Sequence, residues 1–363
     1  MADLRTRIGR TGIKNPVIAA PGEHLIDADG IRSAILAGAG AVVGKSINES
    51  LAAKSQLRRA EYVALAPDWS VAPWGPSAPA GTTVLSRSGL PPMDFEAWLE
   101  QAVAMDAFAR RHDCLFVPSI ILAAEEPALD MARRVAAAGL RVLEFNIGTP
   151  YASEAARGAV STVLSPQLVG ELTAMMTGAI GVPVWIKITG QSERVPELAA
   201  AAFDNGAESV VMAGRALGML PDLETQAPVL STSGGIGGFW NLPLTCHWLA
   251  ASRAALGAGR DLIGINGATG GHDVARMMLA GASAVGLASE VMLRGWDVLS
   301  RAVADLDAYC EAKSMSARDL VGRAADARKR FADMPELDER WRDHIPAPLE
   351  NARHREPGHD HRD

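Results

Sequence analysis

Apolar positions along this chain fall into one recurring phrase: an Ala-rich stretch with helical spacing, a Gly near its end, then a short β-branched run. The phrase appears as IRSAILAGAGAVVGKSI (31–47), MARRVAAAGLRVLEFNI (131–147), LAAAAFDNGAESVVMAG (198–214), AASRAALGAGRDLIGING (250–267) and VARMMLAGASAVGLAS (274–289). Gly at a helix end supplies a left-handed stop, and the Val/Ile run after it suits a strand buried on both faces. Three further apolar runs, NPVIAA (15–20), CLFVPSIIL (114–122) and VPVWIKIT (182–189), bring the total to eight strands in chain order. Eight strands separated by helices predict an α/β fold, a closed (β/α)8 TIM barrel in preference to an open doubly wound sheet.

Two stretches interrupt the alternation. Residues 48–93 are rich in Pro, Gly and Trp, and residues 214–243 include LSTSGGIGGFWNLP. Each follows a strand, so both insertions are expected at the C-terminal face of the barrel, where loops build active sites. The Gly-rich part, 231–241, precedes a helix with no strand of its own in front. A single barrel is expected over 1–320, a C-terminal helical extension over 321–349, and a loose tail over 350–363, which is charged and poor in apolar residues.

Composition narrows the class of partner. Hydrophobic residues make up 48% of 363, enough for a large core, while the formal net charge of -7 comes without any Lys/Arg block. That excludes the electrostatic footprint of a nucleic-acid or anionic-membrane binder and leaves a small molecule as the expected partner. Cys114, Cys246 and Cys310 are far apart and in no CxxC arrangement, so no disulfide framework, zinc site or iron–sulfur site is expected. The first residues, MADLRTRIGRTGIKNP, have no apolar core of a signal peptide, and no run of eighteen apolar residues occurs. Cytoplasmic localisation is the expectation.

Chemistry gathers at strand ends. Lys187 in VPVWIKITG and Lys45 in AVVGKSI both lie near the C-terminal ends of otherwise apolar strands. A buried ammonium is costly without an anionic or electron-rich partner. One such lysine suits a structural ion pair as well as a ligand; two at one barrel face favour a ligand site. GINGATGGHDV (264–274) runs from strand seven into a Gly-rich turn and a helix, and the eighth strand ends in Ala-Ser. Backbone N–H groups at such a turn bind phosphate, and barrels use the loops after strands seven and eight for it. Lysines for an electron-rich ring together with a phosphate cradle suit FMN.

With those pieces in place, the chain resembles the dihydroorotate dehydrogenase family of FMN-dependent barrels from Asn15 to about Leu320. The likeness rests on NPVIAAPG, VVGKSI, LEFNIGTP, VPVWIKIT, GGIGG and GINGATGGHDVARMMLAGASAV, in that order. Lacking a membrane-binding N-terminal helix and a cysteine cluster, the sequence is most similar to the soluble homodimeric subgroup, which implies a homodimer. Carried onto this chain, the resemblance implies flavin contacts at Ala20, Gly22, Lys45, Ser46, Asn146, Lys187 and Gly238, with Gly267, Ala268, Ala288 and Ser289 around the phosphate. Lys45 and Lys187 are implied in catalysis beside the flavin.

The substrate half departs from the family. Where the family reads a pyrimidine with Asn side chains, this chain has Ser86 and Pro92, Tyr151, and Gly214 with Arg215. Losing those amides leaves the polar edge of orotate unsatisfied, and sites of that type discriminate strongly. Thr149 stands at the position of the family's Cys or Ser base; either it shuttles a proton through a water, or Tyr151, Glu23 or His24 acts instead. The resemblance therefore implies hydride transfer between flavin N5 and a C–C or C–N double bond of a small non-orotate molecule, with a small-molecule electron acceptor or donor. An apolar or aromatic ring with an acidic group is the expected substrate. Oxidation of dihydroorotate in a remodelled pocket is the alternative, as is a flavin-free barrel that isomerises or binds a phosphorylated metabolite.

Overall fold

The computed structural model describes residues 1–149, 163–212, 214 and 216–346. Eight strands form the central sheet: β1 (Val17–Ala19), β2 (Ala41–Val43), β3 (Leu115–Val117 continuing as Ser119–Ile121), β4 (Leu143–Asn146), β5 (Val184–Lys187), β6 (Ser209–Met212), β7 (Leu262–Ile265) and β8 (Ala282–Leu287). All neighbouring pairs are parallel, in register Ile18↔Ala41, Phe145↔Ile186, Ile186↔Val210 and Gly286↔Ile18 among others. The ring closes at β3. Its first half pairs with β2 and its second half with β4, and the break between them is Pro118, which has no N–H but accepts from the Glu144 amide at 3.0 Å. The (β/α)8 barrel expected from the pattern is thus the observed fold.

Strand residues divide by parity, as a pleated strand requires. Ile18, Ala41, Val43, Val117, Trp185, Val211, Ile263 and Ala284 pack inside the barrel. Their neighbours Val17, Val42, Phe145, Ile186, Val210, Leu262 and Val285 pack outward against the helices. Helices such as Glu125–Ala137 and Val195–Asp204 deliver the chain back to the next strand, and the glycines beyond them, Gly139 (φ +81°) and Gly206 (φ +93°), hold the left-handed stop.

One end of the barrel is stoppered by an element the helix–strand pattern does not reveal. Thr6–Ile8 and Thr11–Ile13 form an antiparallel hairpin whose Ile8 and Ile13 join the interior cluster. Its anchors, Ser283 O for the Thr6 hydroxyl at 3.1 Å and Asp261 for the Gly9 amide at 2.7 Å, lie just before or at the start of β8 and β7. The hairpin therefore closes the N-terminal end and leaves the C-terminal end for the site.

The two insertions are one structure. Glu61–Leu65, Val71–Ala72 and Thr83–Arg87 from the first join Ala216–Gly218 and Gly234–Gly237 from the second in a five-stranded antiparallel sheet. Gly235 pairs with Ser86 and Gly237 with Val84. The stretch expected to have no strand of its own before the helix is a strand after all, and its lack of side chains is the reason it fits: a Cβ at Gly234 would sit 2.6 Å from the Ser86 carbonyl oxygen. Arg294 fastens the first insertion to the barrel, donating to the carbonyls of Pro76 (2.9 Å), Ala78 (2.8 Å) and Pro79 (2.9 Å) while its guanidinium also pairs with Glu290.

The chain divides into two compact units, Met1–Asp326 and Ala327–Asp363. The described part of the second contains two 3-10 turns, Phe331–Asp333 and Arg340–His344. The tail expected over 350–363, and residues 347–349 before it, lie outside the described residues. Among the described residues, no helix is long and apolar enough to cross a membrane.

Arg294→Ala removes three charge-assisted bonds and strands Glu290. We expect a loss of about 2–4 kcal/mol in urea unfolding, together with faster proteolysis between residues 70 and 82.

Candidate active site

A cleft opens at the C-terminal end of the barrel, between the strand ends and the five-stranded sheet. The strand ends supply Ala20, Lys45, Asn146, Lys187, Ile265 and Ala288, and the sheet supplies Tyr62, Val84, Ser86, Gly235 and Gly237. Lys45 and Lys187 reach it from β2 and β5, as an inward position at a strand end requires.

Each lysine has a carboxylate, but the two carboxylates are held differently. Lys45 Nζ lies 3.0 Å from Glu23 Oε1, and Lys187 Nζ 4.0 Å from Glu144 Oε1. Glu144, 1% exposed, is buried beneath the cleft at the end of a donor chain. Ser119 Oγ donates to Glu144 Oε1 at 2.7 Å, so the 2.7 Å contact between Ser46 and Ser119 has Ser46 as donor. With its hydrogen spent, the Ser46 hydroxyl turns only lone pairs toward the cleft it lines. Glu23, by contrast, is itself part of the cleft wall.

The Gly-rich turn after β7 is fixed from behind. Thr245 Oγ1 donates to the Asn266 carbonyl at 2.7 Å, with Asn241 Nδ2 at 3.4 Å. Asn266 takes a left-handed φ of +72° and Gly267 one of +116°. A Cβ on Gly267 would lie 2.5 Å from the Leu242 amide nitrogen, so the turn is pressed against the start of the helix Leu242–Leu256. Opposite it, a Cβ on Gly237 would meet Asn266 Oδ1 at 3.0 Å and Ser289 Oγ at 3.3 Å. Asn266 Nδ2 is buried with no hydrogen-bond partner among the described residues. A concave cradle of small residues beside a Gly-rich turn is suited to an anionic group.

The dihydroorotate dehydrogenase family model matches residues 73–309, well over half of the chain. The chain belongs to the dihydroorotate dehydrogenase family. It is 25% identical over 327 residues to the catalytic subunit of dihydroorotate dehydrogenase B (NAD(+)) of Methanocaldococcus jannaschii, covering 88% of this chain and 98% of that one. The corresponding protein of Methanosarcina acetivorans is 30% identical over 307 residues, covering 84% and 90%. Dihydroorotate dehydrogenase A (fumarate) of Lactobacillus delbrueckii subsp. bulgaricus is 29% identical over 196 residues, covering 53% and 62%. Likeness along most of both chains thus extends to B-type catalytic subunits. The chain is a flavin-dependent dehydrogenase of this family.

Within the family framework, the residues singled out from sequence can be located. Ala20, Gly22, Lys45, Ser46, Asn146, Lys187, Gly238, Gly267, Ala268, Ala288 and Ser289 all line the cleft, as do Ser86, Thr149 and Gly214. Thr149 is buried, at the mouth end of β4. Tyr151 and Arg215 lie outside the described residues, as does Pro150. Residues that sequence reading did not select also line it: Tyr62, Asn266, Thr269 and Glu290. For Asn266 a signal was present, since Asn before Gly favours a left-handed turn; for Tyr62 and Glu290 there was none.

Two titratable neighbours respond oppositely to the cleft. Burial alone raises the pKa of Glu23, but the Lys45 charge and hydrogen bonds from Tyr62, Lys45 and the Gly89 amide outweigh it, holding the carboxyl below its ordinary value. His24 is pushed down to about 4, first by burial, with Lys45 adding to the effect and Glu23 opposing it. Both its ring nitrogens are shut off from solvent with no hydrogen-bond partner among the described residues. It is a neutral imidazole at pH 7 and a weak base.

Between pH 6.5 and 4 the unfolded chain holds the His24 proton and the folded chain does not. Stability therefore decreases as pH drops from 6.5 to 4, by roughly 3 kcal/mol from this residue. His24→Phe should flatten urea-unfolding free energies over that range. Loss through Glu23, whose folded value is depressed, begins as pH falls through the ordinary carboxyl range and continues below it.

Proposed function

We propose that this protein binds FMN and exchanges a hydride between the flavin N5 and a C–C or C–N double bond of a small molecule other than orotate. The observation that carries the reading is the convergence, in one cleft, of Lys45, Lys187, Asn146 and the cradle of Gly237, Asn266, Gly267 and Ser289. A Gly-rich turn and a concavity without room for side chains fit a phosphate group. Bound FMN supplies a two-electron acceptor and donor; the chain supplies everything else.

Lys187 is backed by Glu144 and Ser119, which fix its head and let it donate toward an electron-rich ring. Ser46 offers lone pairs to a ring N–H. In the oxidative direction the substrate loses a hydride and a proton, and Thr149 stands where that proton leaves. A Thr hydroxyl does not ionise near neutral pH, so it takes up the substrate's proton as it gives its own to a water and stays neutral. A small-molecule acceptor returns the protein to its oxidised form. The NAD(+)-type and fumarate-type names of the relatives mark the two acceptor chemistries to try first. Family likeness alone extends the proposal to a homodimer in the cytoplasm.

Exclusion of orotate is supported by Ser86 and Gly214 in the cleft wall, where neither offers an amide to a pyrimidine edge. Family membership favours the second reading, dihydroorotate oxidation in a remodelled pocket.

The purified protein is expected to show a flavin visible spectrum, and Ser289→Asp, which sets a carboxylate in the cradle, to weaken FMN binding by roughly tenfold or more with the fold intact by circular dichroism. Anaerobic addition of dihydroorotate is expected to leave the flavin oxidised over minutes. Rapid bleaching would establish the second reading.

A further inference from the structure

The wall of the cleft contains a carboxylate of the protein's own in the place best equipped to receive one from a ligand. Glu23 belongs to the 3-10 turn Glu23–Leu25, directly after the β1 end, and lines the cleft together with Lys45, Tyr62, Ser86, Ser88 and Leu90. Its Oε1 takes the Lys45 ammonium at 3.0 Å and the Gly89 backbone N–H at 3.0 Å, and the Tyr62 phenol adds to the stabilisation of the same charged carboxylate. A cation, a backbone amide and a phenol converging on one point are what a protein uses to hold an anion. Both partners of the ion pair are largely shut off from water, with side chains 10% and 15% exposed for Lys45 and Glu23.

We infer that Glu23 is a specificity-determining residue that fills the anion subsite of the cleft from within, so that the substrate is a carboxylate-free, uncharged molecule. This rests on the function proposed above and names its substrate class. A ligand carboxylate brought to this corner meets a negative charge instead of an available ammonium. To reach Lys45 and the Gly89 amide it has to expel Glu23, leaving that carboxylate buried without its partners. An uncharged ring or enone pays neither cost and finds an acceptor for an N–H or O–H. The acidic group expected on the substrate is therefore replaced by a neutral one.

Glu144 is the internal contrast. It compensates Lys187 from beneath the floor, bound to Ser119, and does not line the cleft, so it neutralises a lysine without taking up ligand space. Compensation of charge alone did not require Glu23 to stand in the wall.

The test titrates orotate and uracil, one pyrimidine with and one without a carboxylate, into the purified protein and into Glu23→Gln and Glu23→Ala. Binding is read by calorimetry and by perturbation of the flavin spectrum. In the natural protein uracil should bind more tightly than orotate; in Glu23→Gln, and more so in Glu23→Ala, the order should shift toward orotate by roughly tenfold or more. Orotate binding more tightly than uracil to the natural protein overturns the inference, as does an unchanged ratio in folded variants. Should neither variant fold, the ratio in the natural protein decides alone. A protein that holds no flavin defeats the proposed function instead, and calorimetry on it still reads the anion preference.

Discussion

Charge compensation in a space with little water is the constraint from which the site follows. Two ammonium groups at the mouth of an apolar barrel are tolerable only beside carboxylates, and both are in place, Glu23 with Lys45 and Glu144 with Lys187. Glu144 depends in turn on Ser119, which depends on the way β3 is split at Pro118 so that its second half leans on β4. Ring closure and the electrostatics of the floor are thus settled by the same few residues of one strand.

What the sequence made legible was whatever repeats locally. A strand covered on both faces has a continuous apolar run, and a helix that ends on a left-handed Gly announces its stop, so all eight barrel strands could be located from 15–20 to 274–289. The cleft was legible in the same way, because strand ends and the turn after β7 are fixed by chain position. The N-terminal hairpin was missed although TRI-GR-TGI alternates around a two-residue turn, since strands of three residues give a periodicity too short to register. Pairing of the two insertions had no local signal at all. Ser86 and Gly235 are separated in the chain by four of the eight barrel strands, and a strand made of GGIG has no side-chain alternation to read.

The ion pair between Glu23 and Lys45 was illegible for a related reason. Both residues were noticed, Glu23 as a possible base and Lys45 as a ligand group, yet nothing in their spacing says that they meet. Their meeting depends on Gly22 and the turn that swings Glu23 toward β2, and on the Gly89 amide arriving from the first insertion. The proposed site divides accordingly, with a cofactor half written in strand ends and a substrate half written in contacts between distant segments.

The hairpin that stoppers the N-terminal end has a kinetic meaning. With Ile8 and Ile13 filling that end, whatever binds in the cleft arrives and departs on the same side of the barrel. Packing at the floor thereby sets the direction of traffic for the chemistry proposed above it.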